Sequence, residues 1–270
     1  MRVIAVVAGG VFRDSIRDRI GYGLVFFAVL LIAASFLLAQ LTAGQDVKIV
    51  KDLGLAASSA IGVLIAIFYG IGLVTKEVER RSIYSLLSKP ITRAQFITGK
   101  YVGLVMTLLI NLAVMTVAMY LVLALLDWTT APILRGTQGA EAAALDPRML
   151  KAVVLIGVEL MVMTAVAMFF STFSGSFLAA GCALAFYVIG HFGEDLKHLD
   201  NLVHSQALAV VGRGLYYLLP NLGPLDVKAD VVHGVAVSGS HILMASLSSG
   251  LYIGVLLLAS TLIFSRRDLK

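Results

Sequence analysis

The chain is predicted to be an all-α integral membrane protein with six transmembrane helices. Three observations predict this. First, 59% of its 270 residues are hydrophobic and only 14% are charged, with a mean hydropathy of +0.95; a soluble domain carries about 45–50% apolar and about 25% charged residues. Second, six apolar runs follow one another: Ile20–Leu41, Leu53–Val74, Tyr101–Leu126, Ala152–Phe173, Phe177–Phe192 and Ile242–Phe264. Most reach the ~20 residues a helix needs to cross the hydrocarbon core. Third, the charges gather between the runs. The net charge of +5 and pI of about 9.3 therefore record loops facing anionic headgroups, and no nucleic-acid partner is implied.

Residues 1–19 are the first element. The apolar stretch after Arg2 is too short and too glycine-rich to span. Ile4, Val7, Val11 and Ile16 fall near one helical face, with Arg13, Asp14, Arg17 and Asp18 elsewhere. That pattern predicts an amphipathic helix lying in the membrane interface. No small-residue cleavage site precedes the charges, so no signal peptide is read.

The segment 76–100 joins the second and third spans and carries Lys76, Arg80, Arg81, Lys89, Arg93 and Lys100. By the positive-inside rule it is cytoplasmic. With both termini also cytoplasmic, thirteen Lys and Arg lie inside and eight outside, the expected sign. Val78 to Ser88 has helical periodicity, with Ile83, Leu86 and Leu87 on one face. Pro90 ends that helix, because the residue before a proline is pushed out of the α region. Thr92 and Gln95 then form a capping box for a long helix starting at about Arg93, with Ile91 and Phe96 as its hydrophobic staple.

Glu77, Glu79, the Arg81-Ser82-Ile83 step, Leu86-Leu87-Ser88-Lys89-Pro90, Thr92-Arg93 and Gly99-Lys100 resemble the cytoplasmic loop of ABC-type-2 transporter permeases. The unfused six-span branch that includes the copper-enzyme-maturation type is the most similar. The detailed match covers the loop, and the span layout matches over the whole chain. The resemblance implies one permease domain over 1–270, with an N-terminal elbow helix and a cytoplasmic coupling helix. It implies that two copies, or this chain and a related one, pair in the bilayer, and that two separate ATPase subunits holding ATP and Mg dock from the cytoplasm. On that likeness Glu79, Arg80, Arg81, Ser82, Leu86, Leu87, Pro90 and Arg93 form the ATPase-coupling surface. Export from a cell inner membrane is the implied activity. The chain itself offers no phosphate loop: Gly99-Lys100 is its only Gly-Lys pair, Ala94 replaces the first glycine and Tyr101 the Ser or Thr. It is not expected to be an enzyme or to hold a cofactor.

Among the spans, Ser171 to Ser176 makes a tight uncharged turn, so the fourth and fifth form an antiparallel hairpin, the fifth starting near Ser174. Asp127-Trp128 fits an outer interfacial belt. The outer segment 193–241 contains 202–219, read as an interfacial or re-entrant helix closed by Pro220-Asn221-Leu222-Gly223-Pro224. Glu159 is the one acid deep in a span. It is either a substrate- or cation-facing group of the translocation pathway or a buried staple between helices. Asn111 in the third span is a second pathway candidate, read first as an interhelical hydrogen bond. His191, Glu194, Asp195 and His198 would share one helical face and suit Zn or Cu, although a zincin His-Glu-x-x-His is absent; the other reading is a solvated face. Gly99/Gly103 and Gly250/Gly254 permit close helix packing. Cys182 is the single cysteine, so no intrachain disulfide forms. Two other functions fit the composition: a membrane scaffold or assembly factor acting through its outer loop, and a membrane enzyme using the 191–198 face.

Overall fold

The computed structural model of the chain describes residues 2–41, 46–79, 92–129, 146–192 and 221–266. Helix α1 (Arg2–Ile16) is followed by α2 (Arg19–Leu41), α3 (Asp46–Glu79), α4 (Arg93–Thr129), α5 (Met149–Phe173) and α6 (Ser176–His191). A 3₁₀ turn (Gly223–Leu225), a short α7 (Lys228–Val232) and the last long helix α8 (Gly239–Arg266) complete the described chain. Helices α2, α3, α4, α5 and α8 are long and apolar enough to cross a membrane, and α6 is a shorter apolar helix. The all-helical fold with about six spans agrees with the sequence.

The helices alternate between two ends of a bundle. The near end holds α1, the start of α4, the α5–α6 turn and the end of α8. The far end holds the start of α3, the end of α4, and residues 221–238. Helix α3 runs unbroken through Lys76 to Glu79, because nothing between Gly72 and Glu79 breaks a helix. The expected helix over 78–88 and the Pro90 stop lie mostly outside the described residues. The capping box is present: Thr92 N–H donates to Gln95 Oε1 at 3.2 Å, and Gln95 N–H donates to Thr92 Oγ1 at 3.3 Å. Two otherwise orphan donors at the start of α4 are thus satisfied reciprocally. The α5–α6 turn is tighter than expected, since α5 continues to Phe173 and only Ser174-Gly175 connect it to α6 at Ser176.

Apolar burial cannot drive these helices together in lipid, where tails are as apolar as leucine; close packing and hydrogen bonds do so instead. The central pair is α3 against α5, the two most buried spans. A Cβ built on Gly70 would stand 2.7 Å from the Ala167 Cβ, so glycine there lets the backbones approach. Gly99 and Gly103 seat α1 on α4. A Cβ at Gly103 would lie 2.6 Å from the Ala8 carbonyl oxygen, a backbone atom that cannot move aside. The buried face of α1 is Ala8, Val11 and Ser15, close to the face expected from periodicity. Tyr69 Oη donates to the Ser15 carbonyl at 3.2 Å and fixes the end of α1. Hydroxyls inside the spans return their hydrogens to the preceding turn, as Ser58 to Gly54 O (2.7 Å), Thr164 to Leu160 O (2.7 Å) and Ser260 to Leu256 O (2.7 Å). That removes the penalty of a bare donor in hydrocarbon.

Helices α2 and α8 are the least buried spans. They present Phe26, Leu30 and Leu37, and Leu247, Leu251, Leu258 and Leu262, outward. Such faces are a liability in water and natural against lipid. Among the described residues nothing lies within 4 Å of a Cβ placed at Gly250 or Gly254, so this small-residue pair has no partner among them, unlike Gly99/Gly103.

Candidate functional site, a buried polar cluster beneath a far-end cap

Helix α6 is short. Its 16 residues rise about 24 Å, less than the ~30 Å hydrocarbon core. It therefore stops below the far surface, and a cap formed by residues 221–238 fills the deficit. Leu222, Leu225, Val227, Val231 and Val232 of the cap are buried. The Leu222 N–H donates to the Gly190 carbonyl at 3.0 Å, continuing the chain off the end of α6. The Asn221 carboxamide oxygen accepts from Gly223 N–H at 3.0 Å and shapes the 3₁₀ turn. Lys151 Nζ donates to the Val237 carbonyl at 2.7 Å and Arg148 to the Gly234 carbonyl at 3.3 Å. The basic residues at the head of α5, counted from sequence as outer charges, thus hold the cap down.

Beneath the cap lies the acid that the sequence singled out. Glu159 is 1% exposed, ten residues into α5 and so about 15 Å from its far end. Ser59 on α3 donates to Glu159 Oε2 at 3.1 Å. His191, the last residue of α6, brings Nε2 to 3.4 Å from Glu159 Oε1. The cap supplies Asp226 and Lys228. Lys228 Nζ donates to Ser59 Oγ at 3.1 Å and lies 3.5 Å from Asp226 Oδ1, while Asp226 Oδ2 is 4.0 Å from His191 Nε2. Ser59 is the hinge of the network: it gives its hydrogen to the carboxylate and accepts one from the ammonium. Tyr187, one turn before His191, sets its ring 4.5 Å from the imidazole.

The protonation pattern can be read from the partners. His191 Nδ1 lies 3.1 Å from the Tyr187 carbonyl. A carbonyl only accepts, so Nδ1 carries a hydrogen. In the neutral ring Nε2 is then an acceptor, facing the acceptor Oε1 of Glu159. Neither atom makes a hydrogen bond among the described residues. A lone carboxylate at this depth costs several kcal/mol unless it is paired, and the cluster provides those pairs from three helices and the cap.

The expected metal face does not form on α6. The helix ends at His191, Phe192 is its C-cap, and Glu194, Asp195 and His198 lie outside the described residues. His191 points instead at Glu159. Among the described residues no group of three or more His, Cys, Asp or Glu side chains is arranged to hold a metal ion. Asn111 is half-exposed on α4 and does not join the cluster. Of the expected coupling residues, Arg80, Arg81, Ser82, Leu86, Leu87 and Pro90 lie outside the described residues, as does the side chain of Glu79. Arg93 is described, and its Nη1 donates to the carbonyls of Phe264 (2.9 Å) and Ser265 (2.7 Å), the last turn of α8. Phe96 stacks on Phe264 with centroids 6.4 Å apart, and Lys100 Nζ sits 4.5 Å over the Phe96 ring. The expected interfacial or re-entrant helix over 202–219 lies outside the described residues.

Ser59, Asp226 and Lys228 were not candidates from sequence. An isolated serine in a span and an Asp-x-Lys in a loop are each commonplace, and only folding brings them to Glu159. The sequence signal was the acid itself, which had to have partners somewhere.

A family model described as an ABC-2 family transporter protein matches residues 5–196, more than half of the chain. Comparison with curated proteins gives no match. The match begins in α1, runs through the loop between α3 and α4, and ends just past α6, so it contains Ser59, Glu159 and His191. The chain belongs to the ABC-2 transporter family, as a multi-pass membrane permease.

Proposed function

We propose that this chain is the permease subunit of an ATP-driven exporter, moved by a separate ATPase that docks on residues 77–93. The near end is then cytoplasmic, with both termini, in a cell inner membrane. Two copies, or this chain with a related one, form the pathway, and two ATPase subunits bind ATP and Mg outside it. The observation that carries the reading is the family match across the loop. Two features of the near end support it. The capping box makes the start of α4 a rigid element, and Arg93 ties that element to α8. Leu86 and Leu87 supply apolar docking, with Glu79, Arg80, Arg81 and Ser82 as polar contacts and Pro90 as the angle. Closure of the ATPases on ATP biases the spans between two packings. Glu159, under the cap, is the pathway group.

The test is a pull-down. The tagged chain is extracted in mild detergent beside a Leu86→Asp/Leu87→Asp variant. An ATP-binding subunit should co-purify with the native chain and be lost from the variant, while both chains elute alike. Absence of any ATPase from the native chain, or equal recovery with both, would remove the docking assignment.

A further inference from the structure

We propose that the Glu159 cluster is a binding site for an organic ammonium ion, and that Lys228 of the cap is a tethered occupant which such an ion displaces. The inference rests on the reading of Glu159 as the pathway group and adds its chemical class.

The cap carries one positive and one negative side chain into the cluster, Lys228 and Asp226, 3.5 Å apart. When the cap lifts, both leave together and remove no net charge. What stays behind is Glu159 on α5, with Ser59 and His191. The carboxylate then has one hydroxyl partner and one imidazole, at a depth where uncompensated charge is expensive. Opening takes the Lys228 ammonium away from the Ser59 hydroxyl beside Glu159, and an incoming ammonium restores that contact.

The three groups left behind also specify its geometry. Ser59 Oγ has already shown that it accepts from an ammonium, at 3.1 Å from Lys228 Nζ. Glu159 Oε1 and His191 Nε2 face each other at 3.4 Å as buried atoms lacking hydrogen bonds among the described residues. With Nδ1 donating to the Tyr187 carbonyl, a neutral His191 presents Nε2 as an acceptor beside Glu159 Oε1. An alkylammonium has three N–H donors on one small centre; these match one hydroxyl, one carboxylate oxygen and one imidazole nitrogen. An anion meets the buried Glu159 carboxylate here and is repelled. The site's wall also suits a cation with an apolar body: the Tyr187 ring lies 4.5 Å from the His191 imidazole. Aromatic faces attract cations and pack against hydrocarbon.

Lys228 on its short tether is an internal competitor. If the released state is about a tenth of the population, the apparent affinity for an external ammonium is reduced about tenfold.

The experiment uses the full-length chain in lipid nanodiscs and titrates hexylammonium by calorimetry, with hexanesulfonate and hexanol as controls. Hexylammonium should bind Lys228→Gln about tenfold tighter than the native chain, and Lys228→Arg should behave as native because it keeps a resident cation. Glu159→Gln, which preserves shape and the Ser59 contact, should abolish binding in the Lys228→Gln background, with both variants eluting as the native chain does. The two controls should bind no variant in this way. Binding no tighter in Lys228→Gln than in the native chain overturns the assignment. Binding that survives Glu159→Gln, or is matched by hexanol, overturns it too. The titration needs no ATPase, so its failure leaves the docking reading standing, and a failed pull-down leaves this site standing.

Discussion

Removing the Arg93 guanidinium should loosen the near end of α8 without disturbing the core. Arg93→Ala deletes two charge-assisted hydrogen bonds, at 2.9 and 2.7 Å, to the carbonyls of Phe264 and Ser265. Such bonds are worth about 1.5–3 kcal/mol each when shielded. Ser265 is exposed and Arg93 half-exposed, so water replaces part of each, leaving about 1 kcal/mol per bond. A cation at a helix C-terminus also favours the helix dipole, by about 0.3–1 kcal/mol at a surface. The sum is about 2.5 kcal/mol, which lowers the apparent melting temperature of a chain this size by about 5–10 °C. Hydrogen exchange reports where the loss falls. Amides of residues 258–265 should exchange faster in Arg93→Ala, and those of α5 should not change. Arg93→Lys keeps the charge with a shorter reach and should fall between. A variant that melts with the parent, or one in which α5 loosens as much as α8, would refute the reasoning.

Four further outcomes follow from the packing and hydrogen bonds. Gly103→Leu drives a side chain against the Ala8 carbonyl, 2.6 Å from the added Cβ; it should unseat α1 and expose residues 2–16 to limited proteolysis. Gly250→Leu meets open space and should leave the monomer's melting temperature unchanged. Thr92→Ala removes one half of the capping box and should cost about 1 kcal/mol, seen as a fall of about 2–4 °C in melting temperature. Tyr120→Phe removes the bond from Tyr120 Oη to the Asp146 carbonyl, 3.1 Å long, and should cost about 1 kcal/mol without altering the cluster around Glu159.

The spans were legible because lipid imposes a length and a composition that any 20-residue window reveals. The start of α4 was legible because a capping box is local: Thr92 and Gln95 are three residues apart, and both bonds formed. Packing of Gly99/Gly103 was legible as a surface, but not its partner, since a small-residue face does not say which helix will occupy it. The same motif at Gly250/Gly254 meets no partner among the described residues. Glu159 announced a buried partner without naming it, because Ser59, His191 and Lys228 stand 100, 32 and 69 residues away. His191 was noticed as part of a face with Glu194 and His198, which lie outside the described residues. Its spacing to Glu194 and His198 presumed that α6 continues, whereas the helix stops at His191 and the residue turns to α5. Lys51 was counted as an outer charge, yet it is 1% exposed, with Asp146 the acid acting on it. Charge counts along a loop do not register such folding back.

Helix α8 connects the two ends that the function needs. It spans 28 residues, about 42 Å, and along its length it buries only a narrow stripe, Ala245, Ser249, Leu256, Ser260 and Phe264. Its attachments are strongest at the ends. At the near end Arg93 holds its last carbonyls. At the far end it grows directly out of the cap, and His241 in its first turn donates through Nε2 to the Pro224 carbonyl at 2.8 Å. A helix held at both ends and lightly between them transmits displacement as a strut, since α-helices resist axial compression while side-chain stripes of alanine and serine slide. On this argument, a change made at Arg93 should be felt under the cap, although it lies at the opposite end of the bundle. Arg93→Ala should therefore speed hydrogen exchange in residues 221–238 as well as in 258–265, with the intervening turn around Ile253 altered least. If the change fades before Ser249 and the cap exchanges as in the parent, α8 is two independent anchors joined by a passive span, and the loop between α3 and α4 must reach the Glu159 cluster through α3 instead.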